Sequence, residues 1–167
     1  MLGQRPLPEV IEHSRAFVGA LATTTGTVLD LGSGGGVPGL VIAVDRPDLK
    51  VILIERRQAR ADHLVRLVGR LELGGRVTVM PVDARQLQQL TPVDAVVARS
   101  FGSTEATVRT GRPLLARGGR LVISEPPSSD PARWSSALLE RYRLQRLEHP
   151  DRRVAVLRDV SRETDNA

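Results

Sequence analysis

Apolar residues along the chain fall into short solid runs separated by amphipathic stretches, and the two kinds alternate. Val10, Ile11, Phe17, Val18 and Leu21 form a helical stripe over residues 8–22, which Thr23 to Gly26 bring to a stop. Val28-Leu29-Asp30-Leu31 follows as a short buried strand running into a glycine cluster, and an apolar helix over 37–44 comes behind it. The same succession recurs as a strand at 51–54 and a helix over 59–73. In that helix Leu64, Leu67, Val68 and Leu71 share one face at three- and four-residue spacing. A strand at 76–82, a short helix at 84–90, a strand at 94–98, a helix over 104–116 and a strand at 120–124 continue the alternation. Strands this uniformly apolar need cover on both faces, so the pattern predicts an α/β architecture with a parallel sheet between helical layers.

The last third changes rhythm. Asp130 and Pro131 suit the N-cap and first position of a helix running to about Glu140. Tyr142–Leu147 and Arg153–Val160 read as strands joined through His149-Pro150-Asp151, a connection too short for a parallel crossover, so they are expected as an antiparallel hairpin. No repeat or linker divides the 167 residues. A single domain over 1–167 is therefore expected, with an N-terminal helical region at 1–26 and a polar, fraying tail at 161–167.

Composition narrows the chemistry. The absence of cysteine excludes a thiol nucleophile, a thiolate-held metal and a redox pair. His13, His63 and His149 stand without metal-ligand spacing, so no metal is expected. No apolar run approaches membrane length, and Glu9, Glu12 and Arg15 interrupt the first twenty positions; the reading is a cytoplasmic protein with no membrane partner. The net charge of +5 favours phosphate-bearing partners. Lys50 is the one lysine among 24 basic residues, however, and a general arginine habit accounts for the same charge without RNA. Phe17, Phe101, Trp134 and Tyr142 are all the aromatics, too few for a base-stacking platform.

The candidate chemistry begins at Asp30-Leu31-Gly32-Ser33-Gly34-Gly35-Gly36-Val37-Pro38-Gly39. A glycine-rich turn between a buried strand and a helix lets the backbone approach a ligand closely. Gly32, Gly34 and Gly36 behind Asp30 fit the acidic-x-G-x-G-x-G pattern of S-adenosylmethionine (SAM) enzymes, and Gly34, Gly36 and Gly39 fit the dinucleotide pattern G-x-G-x-x-G. Asp30 favours the first, because a carboxylate there suits a cationic methionyl group better than a pyrophosphate. Glu55, at the end of the second strand, is placed to accept ribose hydroxyls, or is a solvated strand-end acid. Asp83, with Ala84 and Arg85, either cradles an adenine or caps the helix beginning at Ala84. Arg99, at the end of the fourth strand, offers a fork for a carboxylate or phosphate, or pairs with Asp94 or Glu125 as scaffold.

Five parallel strands closed by a hairpin resemble the seven-stranded, Rossmann-like class I methyltransferase fold. Leu29 to Gly39, Leu53-Ile54-Glu55 with Arg60, and Val97-Ala98-Arg99-Ser100-Phe101-Gly102 are similar to the RsmG (GidB) family, the 16S ribosomal RNA guanine-N7 methyltransferases. The resemblance covers about 100 residues, Val28 to Glu125. It implies SAM as cofactor and ribosomal RNA or the small ribosomal subunit as partner. It assigns cofactor contacts to Gly32, Val37, the backbone of Ala84 and Arg85, and Arg99. The residues read above add Asp30, Ser33, Gly34, Gly36, Glu55 and Asp83 to the binding set, and the strand-end position of Arg99 makes it the candidate catalytic residue. Glu55 stands where the family usually has an aspartate, and Ser124-Glu125-Pro126 where it has Leu-Lys-Gly. A small-molecule methyltransferase, an NAD(P)-dependent oxidoreductase and a noncatalytic RNA-binding relative are the alternatives.

Overall fold

The computed structural model describes residues 6–87, 90–128 and 130–161. Seven strands form one sheet: β1 Thr27–Leu31, β2 Lys50–Ile54, β3 Val77–Met80, β4 Val93–Ala98, β5 Leu115–Ser124, β6 Leu144–Leu147 and β7 Val154–Asp159. Their order across the sheet is β3-β2-β1-β4-β5-β7-β6. The first five run parallel, and β7 lies antiparallel to both β5 and β6. The chain winds outward from β1 in one direction and returns to build β4 on its other side, so a crevice opens at the carboxyl ends of β1 and β4.

Helices α1 Leu7–Ala20, α2 Gly39–Asp45 and α3 Gln58–Arg70 cover one face, where Phe17, Leu21, Ile42 and Leu64 pack on Val28, Leu53 and Val97. Helices α4 Thr104–Gly111 and α5 Ser136–Arg141 cover the other, with Val108 and Trp134 against Leu31, Ala98 and Ile123. Strand alternation therefore places Asp30, Glu55 and Arg99, which continue the parity of Val28, Leu53 and Val97, toward the α1–α3 face.

The sheet and hairpin follow the sequence pattern, but several element ends do not. Helix α4 ends at Gly111, short of the expected 116, because Pro113 has no N–H to donate; a 3-10 turn at Arg112–Leu114 then leads into a β5 that starts at Leu115. β3 stops at Met80, before Pro81. The helix expected from Asp130 to Glu140 is two pieces: Asp130 caps a 3-10 turn at Pro131–Trp134, and Ser135, in extended conformation, caps α5. Leu71 is 46% exposed and not on the core face; α3 has closed by then, Glu72 adopts φ 56°, and Leu73 takes the buried position. The helix expected at 84–90 is a 3-10 turn over Ala84–Gln86, with residues 88 and 89 outside the described part, as are 162–167 of the expected tail.

Candidate active site

Register fixes the centre of the site. Leu31 pairs with Ile54 on one side and Ala98 on the other, so the next residues, Glu55, Gly32 and Arg99, stand in a row across three adjacent strand ends. Neighbouring strands lie about 4.8 Å apart, which makes the row roughly 10 Å wide.

The turn above the row is shaped by its glycines. Gly32, Gly34 and Gly36 take φ of 68°, 54° and 92°, a region where side chains are strained. Gly32 is exposed, and a methyl on it would lie 2.9 Å from the Phe101 ring, so the β4–α4 loop closes down on bare backbone. That loop is itself bent: Ser100 has φ 56°, which turns Phe101 toward the glycines. Ser33 is buried, donating Oγ–H to the Asp30 carbonyl at 3.0 Å and N–H to the Ile54 carbonyl at 2.8 Å.

Asp30 is 1% exposed, and its Oδ2 accepts from the Gly39 amide at 3.1 Å, which ties the end of β1 to the start of α2. Desolvation pushes its pKa up to about 7, against the Gly39 and Ser33 hydrogen bonds and the Arg99 charge, which all pull it down. Glu55 is likewise buried and not solvated. Its two oxygens accept from the amides of Gly34 at 3.1 Å and Arg57 at 2.8 Å, so this carboxylate braces the glycine turn from β2. Val37 is half-buried behind the turn.

At the end of β3, Asp83 accepts from the Arg85 amide at 3.0 Å and pairs with the Arg85 guanidinium at 2.6 Å. Those hydrogen bonds hold its carboxyl far below the usual range, and Ala84 is buried beside them. Arg99 is half-buried, its charge felt by Asp30. Asp94 lies at the opposite end of β4, accepting from Thr27 N–H, and Glu125 is held by Arg133 at 2.9 Å and by the Trp134 indole N–H. Arg133 also donates to Thr104 Oγ1 at 2.6 Å and so fastens the start of α4 to the end of β5. Sequence reasoning missed this knot and the Phe101 contact, since neither leaves a spacing signal. Among the described residues, no group of three His, Asp or Glu side chains could hold a metal, and no helix is long and apolar enough to cross a membrane.

A glycine turn over the switch point of a 3-2-1-4-5-7-6 sheet, with its last strand pair antiparallel, defines a class I methyltransferase fold. An O-methyltransferase family protein from Burkholderia thailandensis has it, at 20% identity and TM-score 0.68 over 90% of this chain and 54% of that one. So does a coclaurine N-methyltransferase bound to N-methylheliamine and SAH, at 19% identity and TM-score 0.63 over 74% and 38%. The chain belongs to the GidB family, rRNA small subunit methyltransferase G, whose family model matches residues 7–126. The ribosomal RNA small subunit methyltransferase G of Salinispora arenicola is 41% identical over 62% of this chain and 45% of its own length. The chain spans about half the length of the curated relatives it matches.

Proposed function

We propose that the protein transfers a methyl group from SAM to a guanine of small-subunit ribosomal RNA. The observation that carries this reading is the row Glu55–Gly32–Arg99 across three strand ends, roofed by a glycine turn. The residues present fit SAM: Gly32 is an exposed backbone position where a side chain would collide with Phe101, and a ligand can lie against it. A carboxylate offers about four acceptor sites, so Glu55, with two amides bound, keeps room for two ribose hydroxyls. Arg99 receives the methionyl carboxylate, and the cationic end lies over Asp30, whose buried carboxyl it would draw toward the ionised form from a pKa of about 7. Ala84, with its amide, and the Asp83–Arg85 pair beside it border the adenine, the Arg85 amide being held by Asp83; Ser33, Gly34, Gly36 and Val37 form the wall of the turn.

SAM supplies an electrophilic methyl on a sulfonium. Holding it, Glu55, Gly32 and Arg99 would present that methyl to the guanine N7 lone pair, with the carbon–sulfur electron pair leaving on S-adenosylhomocysteine and the positive charge passing to the base. No proton leaves N7, so the site needs no general base. Its residues act by holding the two partners in line, an effect worth on the order of 7 kcal/mol at near-attack geometry.

The test is incorporation of labelled methyl from SAM into isolated small ribosomal subunits, with the Arg99→Ala variant as control. Label in ribosomal RNA that is lost in the variant supports the reading. Label in small acceptors but never in RNA overturns the RNA assignment, and NADH binding without SAM binding overturns the cofactor.

A further inference from the structure

A hollow of ≈ 820 Å³ opens at the same carboxyl edge, over β5, β7 and β6, beside the row that ends at Arg99. Register sets the separation: Ala98 pairs with Ile123 and Ser124 with Val154, so the hollow begins one strand from Arg99. Its volume is that of a small-ligand site. Leu147, Val154 and Ala155 give it an apolar surface, and five of its lining side chains are polar or charged.

Most of those polar groups are already engaged. Glu125 holds Arg133 and Trp134; Arg146 lies 3.6 Å from Glu125 and over the Trp134 ring. His149 Nδ1 meets the backbone of Asp151, whose carboxylate is paired with Arg153 at 2.6 Å. Two are different. Arg152 and Glu148 are exposed and make no hydrogen bond or ion pair among the described residues. A guanidinium fork and a carboxylate, both uncommitted, thus flank one apolar hollow.

We propose that this hollow takes the nucleotide that accepts the methyl group, with Arg152 on its phosphate and Glu148 on the Watson–Crick edge of a guanine. The proposal rests on the methyl-transfer reading above and adds the residues that choose the base. Guanine presents two neighbouring donors, N1–H and N2–H, which one carboxylate accepts together; adenine presents an acceptor at N1, which the same carboxylate repels. A guanine gripped at N1 and N2 leaves its N7 edge uncovered. Two strand spacings, about 10 Å, separate β4 from β7, a span that a nucleotide seated over β7 and β5 crosses to reach the row.

The experiment is calorimetric titration of guanosine and adenosine monophosphate into the purified chain, with and without S-adenosylhomocysteine, for the wild type, Arg152→Ala and Glu148→Ala. The wild type should prefer the guanine nucleotide by about fivefold or more, the discrimination expected of a bidentate contact. Arg152→Ala should weaken both nucleotides by about fivefold or more. Glu148→Ala should erase the preference, weakening the guanine nucleotide by about fivefold or more and leaving the adenine nucleotide bound at least as tightly as in the wild type. S-adenosylhomocysteine affinity should be the same in all three proteins. Equal affinity for the two nucleotides, no binding of either at millimolar concentration, or variants that bind as the wild type does would each overturn the proposal. Failure of S-adenosylhomocysteine alone to bind would instead strike the methyl-transfer reading.

Discussion

Gly39→Ala is the most informative single methyl that can be added to this protein. Gly39 opens α2, and its amide is the donor that holds the buried Asp30 carboxyl. A Cβ there would lie 2.3 Å from Leu53 Cδ2 and 2.6 Å from Asp30 Oδ2. Carbon atoms sit comfortably at about 3.5–4.0 Å, so Leu53 must retreat by more than about 1 Å. It has nowhere to go, being 0% exposed in the cluster between the sheet and α1–α3. Overpacking of this kind costs about 1–3 kcal/mol, and distorting the hydrogen bond adds about 1 kcal/mol. The helix favours Ala over Gly by about 1 kcal/mol, which leaves a net loss of about 1–3 kcal/mol. For a chain of this length that lowers Tm by about 3–10 °C. The matched control is Gly69→Ala in α3, where nothing lies within 4 Å; there the helical preference acts alone and Tm should rise by about 1–3 °C. Scanning calorimetry reads both. If the two variants shift Tm in the same direction by similar amounts, the close packing of the glycine turn on Asp30 and Leu53 is wrong.

Three further outcomes follow from the same geometry. Arg99→Ala should weaken SAM binding by about tenfold or more, the scale of one charge-assisted contact, while Tm without ligand shifts little; unchanged calorimetric affinity removes Arg99 from the site. Asp30 has a folded pKa of about 7 against an ordinary value of 3.8, so the folded state binds the extra proton in that window and its contribution to stability is lost as pH rises through it. Urea titrations of wild type and Asp30→Asn should therefore show the wild type losing stability relative to the variant between about pH 4 and 7; parallel profiles would refute the buried carboxyl. Arg133→Met should destabilise by about 2–3 kcal/mol, since Glu125 is left buried with a poorer partner, and the double variant with Glu125→Leu should lose less than the sum of the two single changes; an additive double variant would contradict the pairing.

The layered sheet was legible because β1, β2 and β4 are solid apolar runs with no polar face, which only burial on both sides explains. The hairpin was legible from the shortness of the β6–β7 connection. Spacing also located Glu55, Gly32 and Arg99 correctly at strand ends, because strand period and register are rigid. What the side chains do there was less accessible. Whether Glu55 faces solvent or braces the amides of Gly34 and Arg57 depends on the path of the seven-residue turn between β1 and α2, and no periodicity encodes that. Leu71 kept the helical spacing of its neighbours, yet the chain reverses at Glu72 and Leu73 is buried in its place. Trp134 and Arg133, read as mid-helix residues, reach back to Glu125 only because Ser135 breaks the helix after them.

The central claim is that the cleft over β1, β2 and β4 holds a sulfonium donor. Calorimetric titration of SAM, S-adenosylhomocysteine and NADH against the same preparation tests it most directly. The account predicts saturable one-to-one binding of the first two and none of NADH. Binding of NADH, with neither adenosyl compound bound, would contradict it.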